Sequence, residues 1–212
     1  MRVERIEPSR HQKGRVLLFL EDGSLLKITE QELLDFGLRA GDRLDEETLT
    51  RLRTAAAGSD AKAQAAALIG RRAMSRCDLE RKLREKGASA GDAAYAAEWM
   101  EAIGALDDGE YAAMLVRHCA QLGYGPARYR EELRKHGIDR ELWEDAMAQA
   151  PESTELAEQY LRDRFRGAVP DEKERKRAAA ALTRRGFDWG TVKSAMRVYE
   201  EIPFGEEDGE AP

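Results

Sequence analysis

The residues of this chain most able to form specific contacts are its arginines and lysines, about half of which fall in three blocks. The blocks lie within residues 71–86, 117–136 and 171–185, and the intervening segments 87–116 and 137–160 are acidic. Guanidinium and ammonium groups bind phosphates or the carboxylates of an acidic partner. Alternation of charge along a chain favours either intrahelical ion pairs or one shared basic surface. The sequence leaves both interpretations open.

Residues suited to catalysis are few and poorly spaced. His118 and Cys119 are adjacent, so they point to different faces of a helix and form a poor metal pair. Asp107-Asp108 is typical of a helix start, and GYGP at 123–126 lacks the Lys-Ser/Thr of a phosphate-binding loop. His136 ends a helix, where positive charge favours the helix dipole. The pattern predicts no enzyme, no metal site and no bound cofactor.

A pattern that recurs about every fifty residues predicts the elements that carry the basic blocks. Each copy has a leucine, a glycine four residues later, an apolar residue and then Ser or Asp. A glycine at positive φ ends a helix while the leucine contacts the apolar residue beyond it, and Ser or Asp caps the next helix. The copies are Leu83/Gly87/Ala88/Ser89, Leu133/Gly137/Ile138/Asp139 and Leu182/Gly186/Phe187/Asp188.

A fixed period of this size predicts tandem repeats. We therefore expect a mainly α fold with three tandem three-helix repeats. The predicted repeats are residues 59–104, 105–150 and 151–199. The predicted helices are 61–73, 76–86, 90–103, 109–121, 127–136, 140–149, 154–165, 172–185 and 189–199. Their predicted core includes Leu79, Leu83, Tyr129, Leu133, Trp143, Met147, Val192, Met196 and Tyr199, and the three tryptophans are expected to be core residues.

Residues 1–58 predict a small β-hairpin-plus-helix module. Apolar runs at 15–20 and 25–29 flank Asp22-Gly23, which is typical of a two-residue hairpin turn. A third short strand is predicted at 3–6, and short helices at 30–36 and 46–57. Gly58-Ser59-Asp60 predicts a break before the first repeat. At the other end, residues 200–212 predict an acidic disordered tail.

The composition of the chain limits which partners and which cellular compartment are expected. The chain has 212 residues, a net charge of −6 and 36% charged residues, which argues against a general nucleic-acid coat. The two cysteines lack metal-ligand spacing, which favours a reduced cytoplasmic setting without a disulfide. The start, MRVERIEPSR, has no apolar segment of a secretory signal, and no apolar run is long enough to cross a membrane.

Four stretches resemble the RecX family, the regulators of the RecA recombinase. The first is RAMS at 72–75 followed by DLERKL at 78–83 and KG at 86–87. The second is GALDDGEYA at 104–112. The third is GYGP at 123–126 with EL at 132–133 and GI at 137–138, and the fourth is RRGF at 184–187. Together they span about residues 61–199, and the third is the most specific.

The resemblance implies that the repeats form an elongated, curved body, which docks in the groove of the RecA–single-stranded-DNA filament. We also expect the protein to be a monomer and not an enzyme. The resemblance further implies inhibition of recombination, of ATP turnover and of co-protease activity, with weak binding to single- or double-stranded DNA as an accompanying expectation. The chain departs from the family at 119–122, CAQL, where several basic residues are common. The basic positions that match the family are Arg72, Arg81, Lys82, Arg84, Lys86, Arg128, Arg130, Arg134, Lys135, Arg175, Arg177, Arg184 and Arg185, and we expect these to face the partner.

Two other functions fit the same residues. One is a free-standing nucleic-acid binder that acts through phosphate contacts, which predicts a steep salt dependence of binding. The other is a scaffold for a different protein. Reading of a DNA major groove is disfavoured, because the helices that follow the glycine hinges begin with small or acidic residues.

Overall fold

The computed structural model describes residues 1–200, which form ten α-helices, a 3₁₀ turn and one three-stranded sheet. The chain divides into two compact units, Met1–Asp107 and a second that begins at Asp108. The acidic segment predicted to be a disordered tail lies, from residue 201 onward, outside the described residues. The mainly α fold with an N-terminal sheet is as predicted.

The sheet has the order β1-β2-β3 and is antiparallel throughout, with β1 Val3–Pro8, β2 Arg15–Leu20 and β3 Leu25–Thr29. The predicted two-residue turn at Asp22-Gly23 is wrong in length. The Leu20 amide donates to the Ser24 carbonyl at 2.9 Å, and Gly23 takes a φ of +77° within a three-residue loop. A glycine at this position lets the strands keep their twist.

Helix α1 spans Glu30–Asp35 and begins with a capping box between Thr29 and Glu32. Helix α2 spans Glu46–Ile69 without interruption, so the predicted break at Gly58 is wrong. Two tertiary contacts explain the continuity. Gly58 lies against the Tyr95 ring, and a Cβ added to this glycine would be 3.4 Å from that ring. Ser59 and Asp60 bind the buried Arg15 guanidinium of β2 at 2.8 and 2.9 Å, so these residues tie the helix to the sheet.

Helix α2 belongs to two hydrophobic clusters. Its first half packs Leu49 and Leu52 against the buried face of the sheet, and its second half packs Ala61 and Ala65 against the first repeat. That repeat continues with α3 Arg76–Glu85 and α4 Ala90–Ala102. The predicted division at residues 58/59 therefore falls inside one helix, and the division into repeats stays a prediction.

The second unit contains six helices in two groups of three among its described residues. The first group is α5 Asp108–Gln121, α6 Pro126–Lys135 and α7 Trp143–Met147, which follows the 3₁₀ turn Arg140–Leu142. The second group is α8 Ser153–Phe165, α9 Glu172–Arg184 and α10 Trp189–Glu200. The hydrophobic cluster of the first group is built around Tyr129 and Leu133, and that of the second around Leu161 and Leu182.

The three glycine hinges form as the sequence predicts. Gly87, Gly137 and Gly186 have φ of +97°, +66° and +93°. In each hinge the amide after the glycine donates to the carbonyl of the predicted leucine, at 3.1, 3.0 and 3.2 Å, which is the Schellman hydrogen bond. The side chains of Ser89, Asp139 and Asp188 accept from amides of the next helix. The hinge leucines are fully buried, so truncating one would leave a cavity.

Most predicted core residues are buried or pack against a cluster, but two tryptophans are not core residues. Trp99 and Trp189 are 37% and 68% exposed, whereas Trp143 is half-buried and donates from Nε1 to the Ile138 carbonyl. Among residues 1–200, no helix is long and apolar enough to span a bilayer. The elongated, curved shape stays a prediction.

Candidate partner-binding surface

Most of the predicted partner-facing cations lie on the middle helix of a repeat, which is α3, α6 or α9, or at its C-cap. Arg81, Lys82 and Arg84 are on α3 with Lys86 as its C-cap, and Arg72 is exposed in the loop before this helix. Helix α6 carries Arg128, Arg130, Arg134 and Lys135, and helix α9 carries Arg175, Arg177 and Arg184, with Arg185 as its C-cap. Their burial and ion pairs decide which of them are available to a partner.

On α3, Arg81 is engaged within its own helix. Its guanidinium binds the Asp78 carboxylate at 2.6 Å and the Glu85 carboxylate at 2.9 Å, and these hydrogen bonds raise the Arg81 pKa further above its usual value. Asp78 is buried in the first turn of α3, so its ion pair with Arg81 also stabilises the start of the helix. Lys82 and Lys86 form no ion pair within the part of the chain that the structure describes.

On α6, two of the four cations have carboxylate partners. Arg128 pairs with Glu131, and Lys135 pairs with Glu132 at 3.1 Å. Arg130 and Arg134, one helical turn apart, are exposed and have no ion pair among residues 1–200. These two arginines are therefore the cations of this helix that can neutralise a partner without breaking an existing contact.

On α9, Arg175 binds within its own repeat, because its guanidinium donates to the Tyr199 carbonyl of α10 at 3.2 Å. Arg177 and Arg184 are exposed, and neither pairs with an acid of the described residues. The helix begins with a capping box between Asp171 and Glu174 that the sequence analysis did not identify.

Arg185, which is predicted to contact the partner, makes structural contacts, and its role toward a partner stays a prediction. Its Nη1 donates to the carbonyls of Leu122 and Gly123 at 3.1 and 3.4 Å, and its guanidinium lies 4.8 Å from the centre of the Tyr160 ring. It therefore joins the end of α5 to the third predicted repeat. Contacts between residues about sixty positions apart have no periodic signal, so the sequence could not indicate this role.

The GYGP segment packs against the third glycine hinge. The Gly125 amide donates to the Arg185 carbonyl at 2.9 Å, and the Ala127 amide donates to the Gly186 carbonyl at 3.1 Å. A Cβ on Gly125 would lie 2.7 Å from the Gly186 carbonyl, which leaves no room for any side chain. This contact brings Arg128 and Arg185 to the same Tyr124 ring, at 5.4 and 5.8 Å from its centre.

The residues considered for catalysis have structural surroundings. His136 lies edge-on to Tyr111, with ring centres 5.6 Å apart, and its Nε2 is 3.9 Å from a Glu132 oxygen. Cys119 is buried, which raises the pKa of its thiol, and Cys77 is exposed. Within residues 1–200 there is no group of three or more His, Cys, Asp and Glu residues placed to hold a metal ion.

Taken with its three equivalent hinges, this fold defines a helical repeat protein with a small N-terminal sheet. A family model described as the second three-helix domain of RecX matches residues 107–147, which include α5, α6 and α7. The matched residues include the GYGP segment at 123–126, which contacts the third glycine hinge.

Relatives and solved structures place the chain in a family. Regulatory protein RecX of Xanthomonas oryzae pv. oryzae (strain MAFF 311018) is 39% identical over 136 residues, which cover 63% of this chain and 85% of the relative. Regulatory protein RecX of Stenotrophomonas maltophilia (strain R551-3) is 38% identical, with 63% and 83% covered. The chain belongs to the RecX family of regulatory proteins.

Crystal structures agree with the fold. One of regulatory protein RecX superposes with a TM-score of 0.70 at 26% identity and covers 91% of this chain and 97% of its own. That of RecX from Lactobacillus salivarius gives a TM-score of 0.60 at 19% identity, with 69% and 98% covered. The helical repeat fold is thus shared with solved members of the family.

Proposed function

We propose that this protein is a monomeric, non-enzymatic cytoplasmic regulator that binds in the groove of the RecA–single-stranded-DNA filament. Binding inhibits recombination, ATP turnover and co-protease activity, either by blocking filament growth or by promoting disassembly. The observation that carries the proposal is membership of the RecX family.

The repeat fold is suited to an extended, repetitive partner. Equivalent units in one chain can contact successive subunits of a filament, and each contact raises the effective concentration for the next. We therefore expect inhibition at amounts of this protein well below one copy for each RecA subunit.

The exposed cations on the middle helices are the proposed contacts. Arg130 and Arg134 are the best candidates, because they are exposed and form no ion pair with the other described residues. Arg81 and Arg185 rank below them, because the former has two carboxylate partners and the latter holds α5 and α9 together.

The test is the rate of ATP hydrolysis by RecA on single-stranded DNA, measured with increasing amounts of this protein. We expect turnover and strand exchange to fall at substoichiometric amounts. Unchanged turnover and unchanged strand exchange at saturation would refute the proposal.

A charge reversal tests the surface. Arg130→Glu with Arg134→Glu is expected to remove inhibition, because both changes replace a free cation by an acid on one face of α6. The matched control is Arg10→Glu with Lys13→Glu, which makes the same change of net charge in the exposed loop between β1 and β2. Circular dichroism verifies that both variants keep their helices. If the α6 variant still inhibits as strongly as the control, the α6 surface is not the contact.

Direct DNA binding is the competing function, and the same free arginines favour it. A binder that acts through phosphates loses affinity as salt rises, with a log–log slope of about −0.9 per phosphate contact on duplex DNA and about −0.7 on single strands. Tight binding to naked DNA with such a slope, together with no effect on RecA, would favour this alternative.

A further inference from the structure

The surface of α4 has an unusual distribution of side-chain sizes. Its core face is made of Ala93, Ala96, Ala97 and Met100, whereas its large apolar residues point outward. Tyr95, Trp99 and Ile103 are 52%, 37% and 54% exposed, and they follow one another at four-residue spacing. They form one stripe about 12 Å long on the helix and its C-cap.

Helix α2 forms the other side of this stripe. Gly58 lies against the Tyr95 ring, and Lys62, one turn later, places its ammonium over both aromatic rings. The distances from Nζ to the ring centres are 4.2 Å for Tyr95 and 5.2 Å for Trp99, and Nζ also donates to the Tyr95 hydroxyl at 2.9 Å. The next residue along this line of α2 is Ala66, which is exposed and small.

The stripe is an exposed apolar surface whose two aromatic rings contact the Lys62 ammonium. A cavity lined by Gly58, Lys62 and Tyr95 opens at the end where α4 begins, and its charged lining also includes Glu32, Arg53 and Asp92. Exposed aromatic residues beside small ones are typical of the anchor positions of protein interfaces. We call the surface formed by Lys62, Tyr95, Trp99 and Ile103 the α4 stripe.

Charge determines which partner fits. Lys62 has no carboxylate partner among residues 1–200, so covering the stripe would bury a cation, which is unfavourable unless the partner supplies a carboxylate. Helix α4 itself carries Asp92, Glu98 and Glu101 and no Lys or Arg. Glu101 is paired with Arg76 at 2.6 Å, so Asp92 and Glu98 are the acids left to repel a run of phosphates. A protein surface with a single carboxylate avoids most of that repulsion, so the charge pattern favours a protein over a nucleic acid.

We propose that the α4 stripe docks a helix of a partner protein that presents apolar side chains around an Asp or Glu, and that this carboxylate pairs with Lys62. An apolar stripe of this length fits the apolar face of an amphipathic helix. Resting on the proposed function, the inference assigns this helix to RecA, so that the α4 stripe contacts the protein component of the filament.

The test measures binding of the full chain to RecA filaments assembled on single-stranded DNA with a slowly hydrolysed ATP analogue. Trp99→Ala and Lys62→Glu are expected to weaken binding by about 10- to 100-fold, the range typical of an interface anchor. Trp189→Ala is the matched control, because this tryptophan is also exposed but lies on α10. Since all three positions are partly or largely exposed, the variants should keep their helices, which circular dichroism verifies.

A zero-length carbodiimide crosslink identifies the pair directly. The reagent joins the Lys62 amine to a carboxylate in contact with it, and mass spectrometry of the digest identifies the partner peptide. We expect a RecA peptide that contains the linked Asp or Glu. Lys62→Arg keeps the charge but lacks the amine, so it should bind normally and lose the crosslink.

The outcomes separate this inference from the proposed function. No binding of the wild-type chain to the filament would refute the proposed function. Normal binding by both Trp99→Ala and Lys62→Glu would overturn the inference alone. A Lys62 crosslink to a second copy of this chain, or an equal loss of binding to naked single-stranded DNA in the Trp99→Ala variant, would also overturn it.

Discussion

Replacing Gly125 by alanine should separate the GYGP segment from the third glycine hinge. At φ −100° any residue can adopt the backbone of this position, so the requirement for glycine comes from contact and not from conformation. An added Cβ would lie 2.7 Å from the backbone of Gly186 and Phe187, and backbone atoms on both sides of the contact cannot rotate away.

The expected loss can be worked from the contacts. Two backbone hydrogen bonds, from Gly125 to Arg185 and from Ala127 to Gly186, each contribute about 0.5–1.5 kcal/mol. Overpacking by one methyl group adds about 1–3 kcal/mol. We therefore expect the free energy of unfolding of the second unit to fall by about 2–6 kcal/mol, and its melting temperature to fall by about 8 °C or more.

Urea denaturation and amide hydrogen exchange measure this effect. In the Gly125→Ala variant the amides of residues 125 and 127 should lose protection, whereas those of the sheet should keep it. Gly91→Ala is the control, because its Cβ would meet only the Ser89 hydroxyl, at 3.9 Å, and alanine favours a helix by up to about 1 kcal/mol. If Gly125→Ala melts with the wild type and keeps both amides protected, the packing argument is wrong.

Two further perturbations test other contacts. Asp60→Ala removes a carboxylate from the buried Arg15. Because Asp60 itself is partly exposed, we expect urea denaturation to show that the free energy of unfolding falls by about 1–3 kcal/mol. A loss below about 0.5 kcal/mol would contradict the pairing. Burial raises the pKa of Tyr129 from 10.0 to about 12, so the unfolded chain releases this proton first and stability should fall as pH rises from 10 towards 12. Spectrophotometric titration should find a late tyrosine ionisation that is missing in Tyr129→Phe, and equal late ionisation in the wild type and the variant would contradict this assignment.

Local signals in the sequence predicted the helices and their hinges well. Leu83, Gly87 and Ser89 lie within seven residues, so the hydrogen bonds that end one helix and start the next are set by neighbours in the chain. The same reasoning gave β2 and β3 with their observed bounds. It failed at Gly58, because the contacts of α2 with Tyr95 and Arg15 outweigh the modest helix penalty of one glycine.

The candidate surfaces were harder to predict, because they depend on which residues meet across the fold. The sequence treated Arg185 as one cation among many, and only the fold places it on the carbonyls of residues 122 and 123. It likewise assigned Trp99 to the core from its hydrophobicity. Composition does not say which face of α4 is covered, and here alanines fill the covered face.

The uninterrupted α2 couples the N-terminal sheet mechanically to the first repeat. A helix of 24 residues is about 36 Å long, and it is stiff along its axis. A molecule that pulled on the sheet would turn Lys62 and the helices beside it through the same angle, with no joint to absorb the motion. For the same reason, a truncation at residue 58 would cut α2 in two. Any loss of activity would then reflect a damaged first repeat as much as a missing sheet.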